Sequence, residues 1–163
     1  DNRTGDYQIF IATTGGPQSL TITLNLNSDW NLIGLPLNVD DSSYEVLFPS
    51  AVEGTLYGFG ESYELVSHLD LGSGYWLRFE SPDSTEINGL PTDVLEVQLV
   101  DGWNLFSGSH QEINVDQIID PDAIIIAGTI YQFDVGYYNV ESIIPGKGYW
   151  IRSSGEGTLY ITE

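Results

Sequence analysis

The sequence predicts an all-β protein, a sandwich or barrel-like assembly of two repeats related by an approximate two-fold axis. Three observations support this prediction. The 163 residues include 18 Gly and 10 Tyr with abundant Ser, Thr and Asn, a composition typical of short strands joined by many turns. Several segments alternate apolar and polar residues, as half-buried strands do. Finally, a segment of about seventy residues occurs twice in the chain.

Three pairs of matched strings define the repeat, and self-similarity of this kind marks a repeated structural unit. The pairs are WNL at 30–32 and at 103–105, GTLYGF at 54–59 with GTIYQF at 128–133, and GYWLR at 74–78 with GYWIR at 148–152. All 4 tryptophans lie in these strings. We place repeat 1 at residues 22–89 and repeat 2 at residues 95–162.

Each repeat is predicted to contain the same elements in the same order. A strand with alternating apolar residues comes first, and a second strand starts at the WNL tryptophan. A short helical turn, predicted at 43–48 and at 115–119, then ends at a proline, which cannot continue a helix. A hairpin follows, with its turn at 60–62 and at 134–136, and the GYW string forms the last strand. The sequence therefore predicts two copies of one β-rich unit with one helical turn each.

The two repeats are expected to depend on each other. About seventy residues without a disulfide or a metal bury too little surface for independent stability, and the linker at 90–93 is short. We therefore expect the repeats to share one core. Residues 1–20 lie outside the repeats and are predicted to form a strand and a Gly/Pro-rich connector. They are either an added edge strand or the end of a preceding domain.

The composition excludes several classes of partner and of chemistry. With 4 Lys and Arg against 24 Asp and Glu, the net charge of −20 repels anionic membranes and the phosphates of nucleic acids. The chain has no cysteine, which excludes thiol catalysis, disulfides and cysteine-ligated zinc. No apolar run approaches the roughly 18 residues of a membrane helix. We expect a monomer with no nucleic-acid or membrane partner.

The strings WNLIGLPL, LFPSA, GYWLRF, GWNLFSG and PGKGYWIR resemble those of tandem β-modules found near the C-terminus of secreted multidomain proteins in Bacteroidetes, Ignavibacteria and related bacteria. Such modules often precede the sorting domain of the type IX secretion route. The resemblance covers most of residues 22–162. It implies secretion or display at the cell surface, and it implies other domains in the same polypeptide as partners. It implies no particular activity.

Catalytic chemistry has little support in the sequence. The 2 histidines, His68 and His110, align with Ser142 and Leu37 of the other repeat, so neither belongs to the shared framework. The GxSxG motif of serine hydrolases is absent. A glycosidase needs one pair of carboxylates at a defined separation, and the 24 acidic residues single out no such pair. We expect that the protein is not an enzyme.

Acidic loops beside the two helical turns offer the hard oxygen ligands that calcium prefers. Asp40 and Asp41 precede the first turn, whereas Asp116, Asp120 and Asp122 surround the second. The spacing of acidic residues in an EF-hand is absent. The alternative is a set of solvated acidic loops, and no other cofactor is predicted.

The aromatic residues divide into an expected core group and an expected surface group. Trp30 and Trp103 occupy the same place in both repeats, which favours burial because both repeats must solve the same packing problem. A third strand is predicted at 55–59 and at 129–133, and its residues that are also expected to face inward are Tyr57, Phe59, Tyr131 and Phe133. The residues expected at the surface are Tyr63, Tyr137 and Tyr138 beside the hairpin turns, and Trp76 and Trp150, which share a strand face with Arg78 and Arg152.

These features predict a non-catalytic carbohydrate-binding module of a secreted, multimodular, polysaccharide-active protein, and the module is expected to bind a neutral polysaccharide. Exposed aromatic rings stack on the apolar faces of sugars, and the stacking residues would be Tyr63, Trp76, Tyr137, Tyr138 and Trp150. Arg78 and Arg152 would donate hydrogen bonds to sugar hydroxyls. The alternative is a structural spacer or cell-surface adhesion module with no small ligand. Two or more coplanar exposed rings would favour sugar binding, and none would favour the spacer.

Overall fold

The computed structural model describes residues 16–163, and the strand predicted near the N-terminus lies outside this range. Within it the protein is all-β, as predicted. Repeat 1 contains β1 (Leu20–Leu26), β2 (Asp29–Gly34), α1 (Tyr44–Leu47), β3 (Tyr57–Phe59), β4 (Tyr63–Leu65), β5 (Gly74–Phe79) and β6 (Asp83–Gly89). Repeat 2 contains β7 (Val94–Leu99), β8 (Gly102–Ser107), β9 (Ile113–Asn114), a 3-10 turn (Val115–Gln117), β10 (Tyr131–Asp134), β11 (Gly136–Asn139), β12 (Ser142–Ile143), β13 (Gly148–Ser153) and β14 (Gly157–Thr162).

The two repeats have the same strand order and antiparallel pairing, except that β9 pairs with β12 in repeat 2 where repeat 1 has only a bridge between Ser43 and His68. Repeat 1 forms a four-stranded sheet of order β2-β5-β3-β4, and repeat 2 forms the matching sheet β8-β13-β10-β11. The first and last strands of each repeat pair separately, as β1 with β6 and β7 with β14. The register also matches, since Trp30 lies opposite Arg78 and Trp103 lies opposite Arg152.

Reciprocal contacts across the molecule show that the repeats are related by a two-fold axis. The N–H of Gly34 donates to the carbonyl of Gly146 at 3.1 Å, and the N–H of Ser107 donates to the carbonyl of Gly72 at 3.0 Å. Gly34 and Ser107 occupy equivalent positions, as do Gly72 and Gly146. When residue i of one unit contacts j of the other and the reverse also holds, the relation is a closed two-fold one.

The buried side chains form two clusters, one in each repeat, whereas one shared core was expected. Leu71 packs against both clusters. The reason for the separation is that backbones meet at the axis, leaving no space for interdigitating side chains. A Cβ atom built on Gly34 would lie 2.1 Å from the Cβ of Ser107, and one on Gly148 would lie 2.6 Å from the carbonyl oxygen of Ile33.

The Asn of each WNL string is buried and closes the loop before its strand. The amide oxygen of Asn31 accepts the N–H of Asn27 at 2.9 Å, and its amide nitrogen donates to the carbonyls of Asn27 and Asp29. Asn104 forms the same three bonds in repeat 2. Because its amide group is fully used, this Asn is satisfied although it is buried, and it fixes the start of the strand that carries the adjacent tryptophan.

Among residues 16–163, no helix is both long and apolar enough to cross a membrane.

Candidate functional site

The outer surfaces of the two four-stranded sheets carry a continuous set of aromatic side chains, here called the aromatic face. Its members contact one another through tilted and edge-on ring pairs and through a hydrogen bond of 3.3 Å from Nε1 of Trp150 to the Tyr137 hydroxyl. The aromatic face consists of Trp30, Tyr57, Phe59, Tyr63, Trp76, Trp103, Tyr131, Phe133, Tyr137 and Trp150.

Strand alternation places these side chains outward. In β5, Tyr75 and Leu77 point into the core, so Trp76 and Arg78 occupy the outer face. In the segment leading into β3, Leu56 is buried, which turns Tyr57 and Phe59 outward together. Repeat 2 follows the same pattern with Tyr149 and Ile151 inward.

The aromatic face contains two recesses, one over each sheet. Recess 1 measures about 430 Å³ and is lined by Trp30, Tyr57, Tyr63, Trp76 and Phe133. Recess 2 measures about 420 Å³ and is lined by Trp103, Tyr131, Tyr137, Trp150 and Phe59. The near-equal volumes and matched lining follow from the two-fold relation between the repeats.

The rings form walls and not a flat platform. Trp30 and Trp76 are 6.5 Å apart between ring centroids with an interplanar angle of 89°, and Trp103 and Trp150 are 6.2 Å apart at 88°. These tryptophan pairs are therefore not coplanar, and they lack the arrangement expected to favour sugar binding. Each recess instead offers several ring faces and edges that converge on one small volume.

No charged side chain among residues 16–163 lines either recess, although the protein carries a net charge of −20. Their polar groups are the tyrosine hydroxyls and the indole N–H groups. Such a site can contact the apolar surface of a ligand and exchange a few hydrogen bonds with it, but it contains no acid or base pair for proton transfer.

Two expectations about the aromatic residues are wrong. Trp30 and Trp103 are 38% and 42% exposed, although burial was expected. In each WNL string the Asn and the Leu are buried while the Trp is not, and the Asn is buried because its amide closes the loop. The third-strand residues Tyr57, Phe59, Tyr131 and Phe133 were expected to face inward, but they are half-buried on the outer face. The buried Leu56 and Ile130 beside them were the available signal, since period-two alternation then turns their neighbours outward.

Four of the five aromatic residues expected at the surface line the recesses. Tyr63 and Tyr137 are exposed, Trp76 and Trp150 are half-buried, and all four line the recesses. Tyr138 is exposed as well, but it follows Tyr137 on β11 and points to the opposite side. It lines a separate groove with Asn139 and Lys147. The structure thus does not bring Tyr138 together with the other predicted stacking residues.

The two arginines differ in their surroundings. Arg78 donates from Nε and Nη2 to Oδ1 of Asp29 at 3.2 Å and 3.0 Å, an exposed ion pair of small energetic weight. Gly102 takes the position of Asp29 in repeat 2, so Arg152 cannot form the equivalent ion pair. Each arginine lies opposite the tryptophan at the second position of the neighbouring strand, and neither arginine lines a recess.

The predicted calcium ligands have local structural partners. Oδ1 of Asp41 accepts the N–H of Ser43 at 2.9 Å, and this bond lowers the pKa of Asp41. Both carboxylate oxygens of Asp120 accept backbone N–H groups, those of Ile124 and Ile125. Asp40, Asp116 and Asp122 are exposed. In the part of the chain that the structure describes, no three His, Asp or Glu side chains are grouped to hold a metal.

No protein-family model, curated protein sequence or solved structure shows significant similarity to this chain.

Proposed function

We propose that the aromatic face is a non-catalytic binding surface for a neutral glycan. The observation that carries this proposal is the presence of two uncharged aromatic recesses on a protein whose net charge is −20. The resemblance to modules of secreted multidomain proteins adds a setting, a secreted or cell-surface protein with other domains.

Exposure of so many rings in one place favours a binding role. Contiguous apolar patches are uncommon on monomeric proteins and mark sites of interaction. Fully burying a side chain such as Trp30 or Trp103 would contribute roughly 1.5–3 kcal/mol, yet both remain partly in contact with solvent. Perpendicular walls suit a sugar unit, since one ring can stack on its C–H face while the adjacent ring contacts its edge.

Charge favours a neutral ligand. A surface with this excess of Asp and Glu repels uronate or sulfate groups on an approaching chain. Arg78, which lies opposite Trp30 on the neighbouring strand, is already paired with Asp29. With few hydrogen-bond donors in each recess, affinity rests on stacking, and we expect a Kd on the order of 10 μM to 1 mM.

A structural spacer is the second candidate, and both the apolar lining and the perpendicular arrangement of the tryptophan pairs favour it. If the aromatic face packs against a neighbouring domain of the same polypeptide, that domain covers the apolar rings and no sugar is required. In that case the isolated protein binds no glycan, and the neighbouring domain protects the aromatic face from solvent.

Isothermal titration with cello-, xylo-, manno- and laminari-oligosaccharides tests the proposal. At least one neutral series is expected to bind, and Trp76→Ala or Trp150→Ala is expected to remove binding at the recess concerned. Tyr138→Ala is the matched control, because this exposed tyrosine lies outside both recesses and its loss is expected to change nothing. Absence of binding across the panel would favour the spacer.

A further inference from the structure

The hairpin of each repeat extends into the recess of the other. Phe59, at the end of β3 in repeat 1, contacts Trp150 of repeat 2 with ring centroids 4.9 Å apart. Phe133, its equivalent in repeat 2, contacts Trp76 of repeat 1 at 5.0 Å. Both contacts are edge-on, with interplanar angles of 75° and 76°. The two phenylalanines are therefore exchanged between the recesses.

Cross-strand pairing holds each phenylalanine in place. Phe59 pairs with Tyr63 across the β3–β4 hairpin, and the rings are 5.3 Å apart. Phe133 pairs with Tyr137 across β10–β11 at the same distance. Each hairpin end thus forms a wall between the recesses, with its tyrosine lining the recess of its own repeat and its phenylalanine lining the other.

We infer that each recess is a composite site, built from four aromatic residues of one repeat and one phenylalanine of the other, and that the protein therefore carries two equivalent glycan sites of opposite direction. This inference rests on the proposed function for its ligand and on the contacts above for its geometry. A single repeat would supply only an incomplete recess.

The opposite direction follows from symmetry. The axis that exchanges the recesses passes between them on the aromatic face, so a direction along one recess is reversed in the other. A glycan chain has a reducing and a non-reducing end and is not symmetric. One continuous chain cannot contact both recesses in the same way, and full occupancy is expected to require two chain segments that run antiparallel.

Fluorine NMR of protein labelled with 5-fluorotryptophan tests the composite sites directly. Trp30 reports on recess 1 and Trp103 on recess 2, and each signal is assigned by Trp→Phe substitution. In a titration with the oligosaccharide that binds, Phe59→Ala is expected to raise the Kd read from Trp103 by about three- to tenfold. The Kd read from Trp30 is expected to change less, because Phe59 reaches recess 1 only through its contact with Tyr63. Phe133→Ala is the mirror control, with the two readings exchanged.

Three outcomes would overturn the inference. If Phe59→Ala acts on the Trp30 reading and not on the Trp103 reading, each recess belongs to its own repeat. If both readings change equally, the aromatic face is one site. If an oligosaccharide too short to fold back saturates both signals at one chain per protein, one chain spans both recesses and the inference of opposite direction is wrong, whereas two chains per protein are expected.

Failure of the proposed function gives a different result. If no glycan shifts any signal of the wild type, the glycan proposal is wrong, and the spectra without sugar still decide the composite geometry. Phe59→Ala is then expected to move the Trp150 signal and leave Trp76 in place, and the reverse pattern would overturn it.

Discussion

At the scale of single residues, each repeat buries one tyrosine whose hydroxyl holds the loop before the GYW strand. The N–H of Asp70 donates to Oη of Tyr75, and the N–H of Ile144 donates to Oη of Tyr149, both at 2.8 Å. Burial raises the pKa of both hydroxyls because it disfavours the phenolate, and it raises the pKa of Tyr149 to about 12. These tyrosines connect the loop geometry to the strand that carries Trp76 and Trp150.

This raised pKa predicts a loss of stability at alkaline pH. Above pH 10, the ordinary pKa of tyrosine, the unfolded chain ionises Tyr149 while the folded protein keeps it protonated until about pH 12. The free energy of unfolding is therefore expected to fall by roughly 2–3 kcal/mol through this window from Tyr149. Urea denaturation between pH 9 and 12 measures it.

Tyr149→Phe separates the hydrogen bond that the hydroxyl accepts at neutral pH from the effect of its ionisation at alkaline pH. At neutral pH the variant is expected to lose about 1–2 kcal/mol, since the N–H of Ile144 loses its acceptor. Its stability is expected to decline less steeply than that of the wild type above pH 10. Parallel curves for the two proteins would contradict the assignment of the alkaline transition to Tyr149.

The contact at the two-fold axis gives a second prediction at this scale. Gly34→Ser is expected to destabilise the protein by about 1–3 kcal/mol, because its Cβ would lie 2.1 Å from the Cβ of Ser107. The exchanged variant, with Gly34→Ser and Ser107→Gly together, is expected to recover most of this loss, since the two positions are equivalent. Thermal unfolding of both variants measures the effect, and no recovery would argue against equivalence.

At the scale of elements, the β10–β11 hairpin contains a strained residue. Val135 has a φ angle of 67°, in the left-handed region, and its side chain is 95% exposed. β-branched residues are unfavourable there, whereas glycine is not. Val135→Gly is expected to stabilise the protein by about 0.5–1 kcal/mol, measured by chemical denaturation.

Glu61 provides the matched control for that hairpin. It is the equivalent residue in repeat 1, but it is not among the residues with positive φ. Glu61→Gly is therefore expected to destabilise slightly, because glycine loses more conformational freedom on folding. Stabilisation by both substitutions would show that strain at Val135 is not the cause.

The elements also show what the sequence could predict. The matched strings located the two repeats. The helical turns predicted at 43–48 and 115–119 overlap the observed α1 and 3-10 turn. Alternation could not predict which side chains of β2 face outward, because four successive residues are all buried: Asn31, Leu32, Ile33 and Gly34. Asn31 is buried for hydrogen bonding and Gly34 for contact at the axis. The exchange of Phe59 depends on the packing between repeats, for which local sequence carries no signal.

At the scale of the whole molecule, charge and stability are coupled. The net charge of −20 makes the folded chain repel itself, and salt screens that repulsion. The melting temperature is expected to rise with sodium chloride, and calorimetry at increasing ionic strength measures the rise. A melting temperature independent of salt would contradict this expectation.

Calcium distinguishes a specific site from general screening. A melting temperature higher in calcium chloride than in sodium chloride at matched ionic strength would indicate binding to the acidic loops. Equal melting temperatures would mean that Asp41 and Asp120 act only through their bonds to backbone N–H groups.

The exchanged phenylalanines have a thermodynamic consequence for the molecule as a whole. Because each recess exists only when the repeats are docked, any ligand that fills one adds its binding free energy to the association of the repeats. Linkage is reciprocal, so a change that loosens the contact between Gly34 and Ser107 is expected to weaken ligands at both recesses. Filling one recess also holds the opposite hairpin in place, and the second ligand then meets a site that is already ordered.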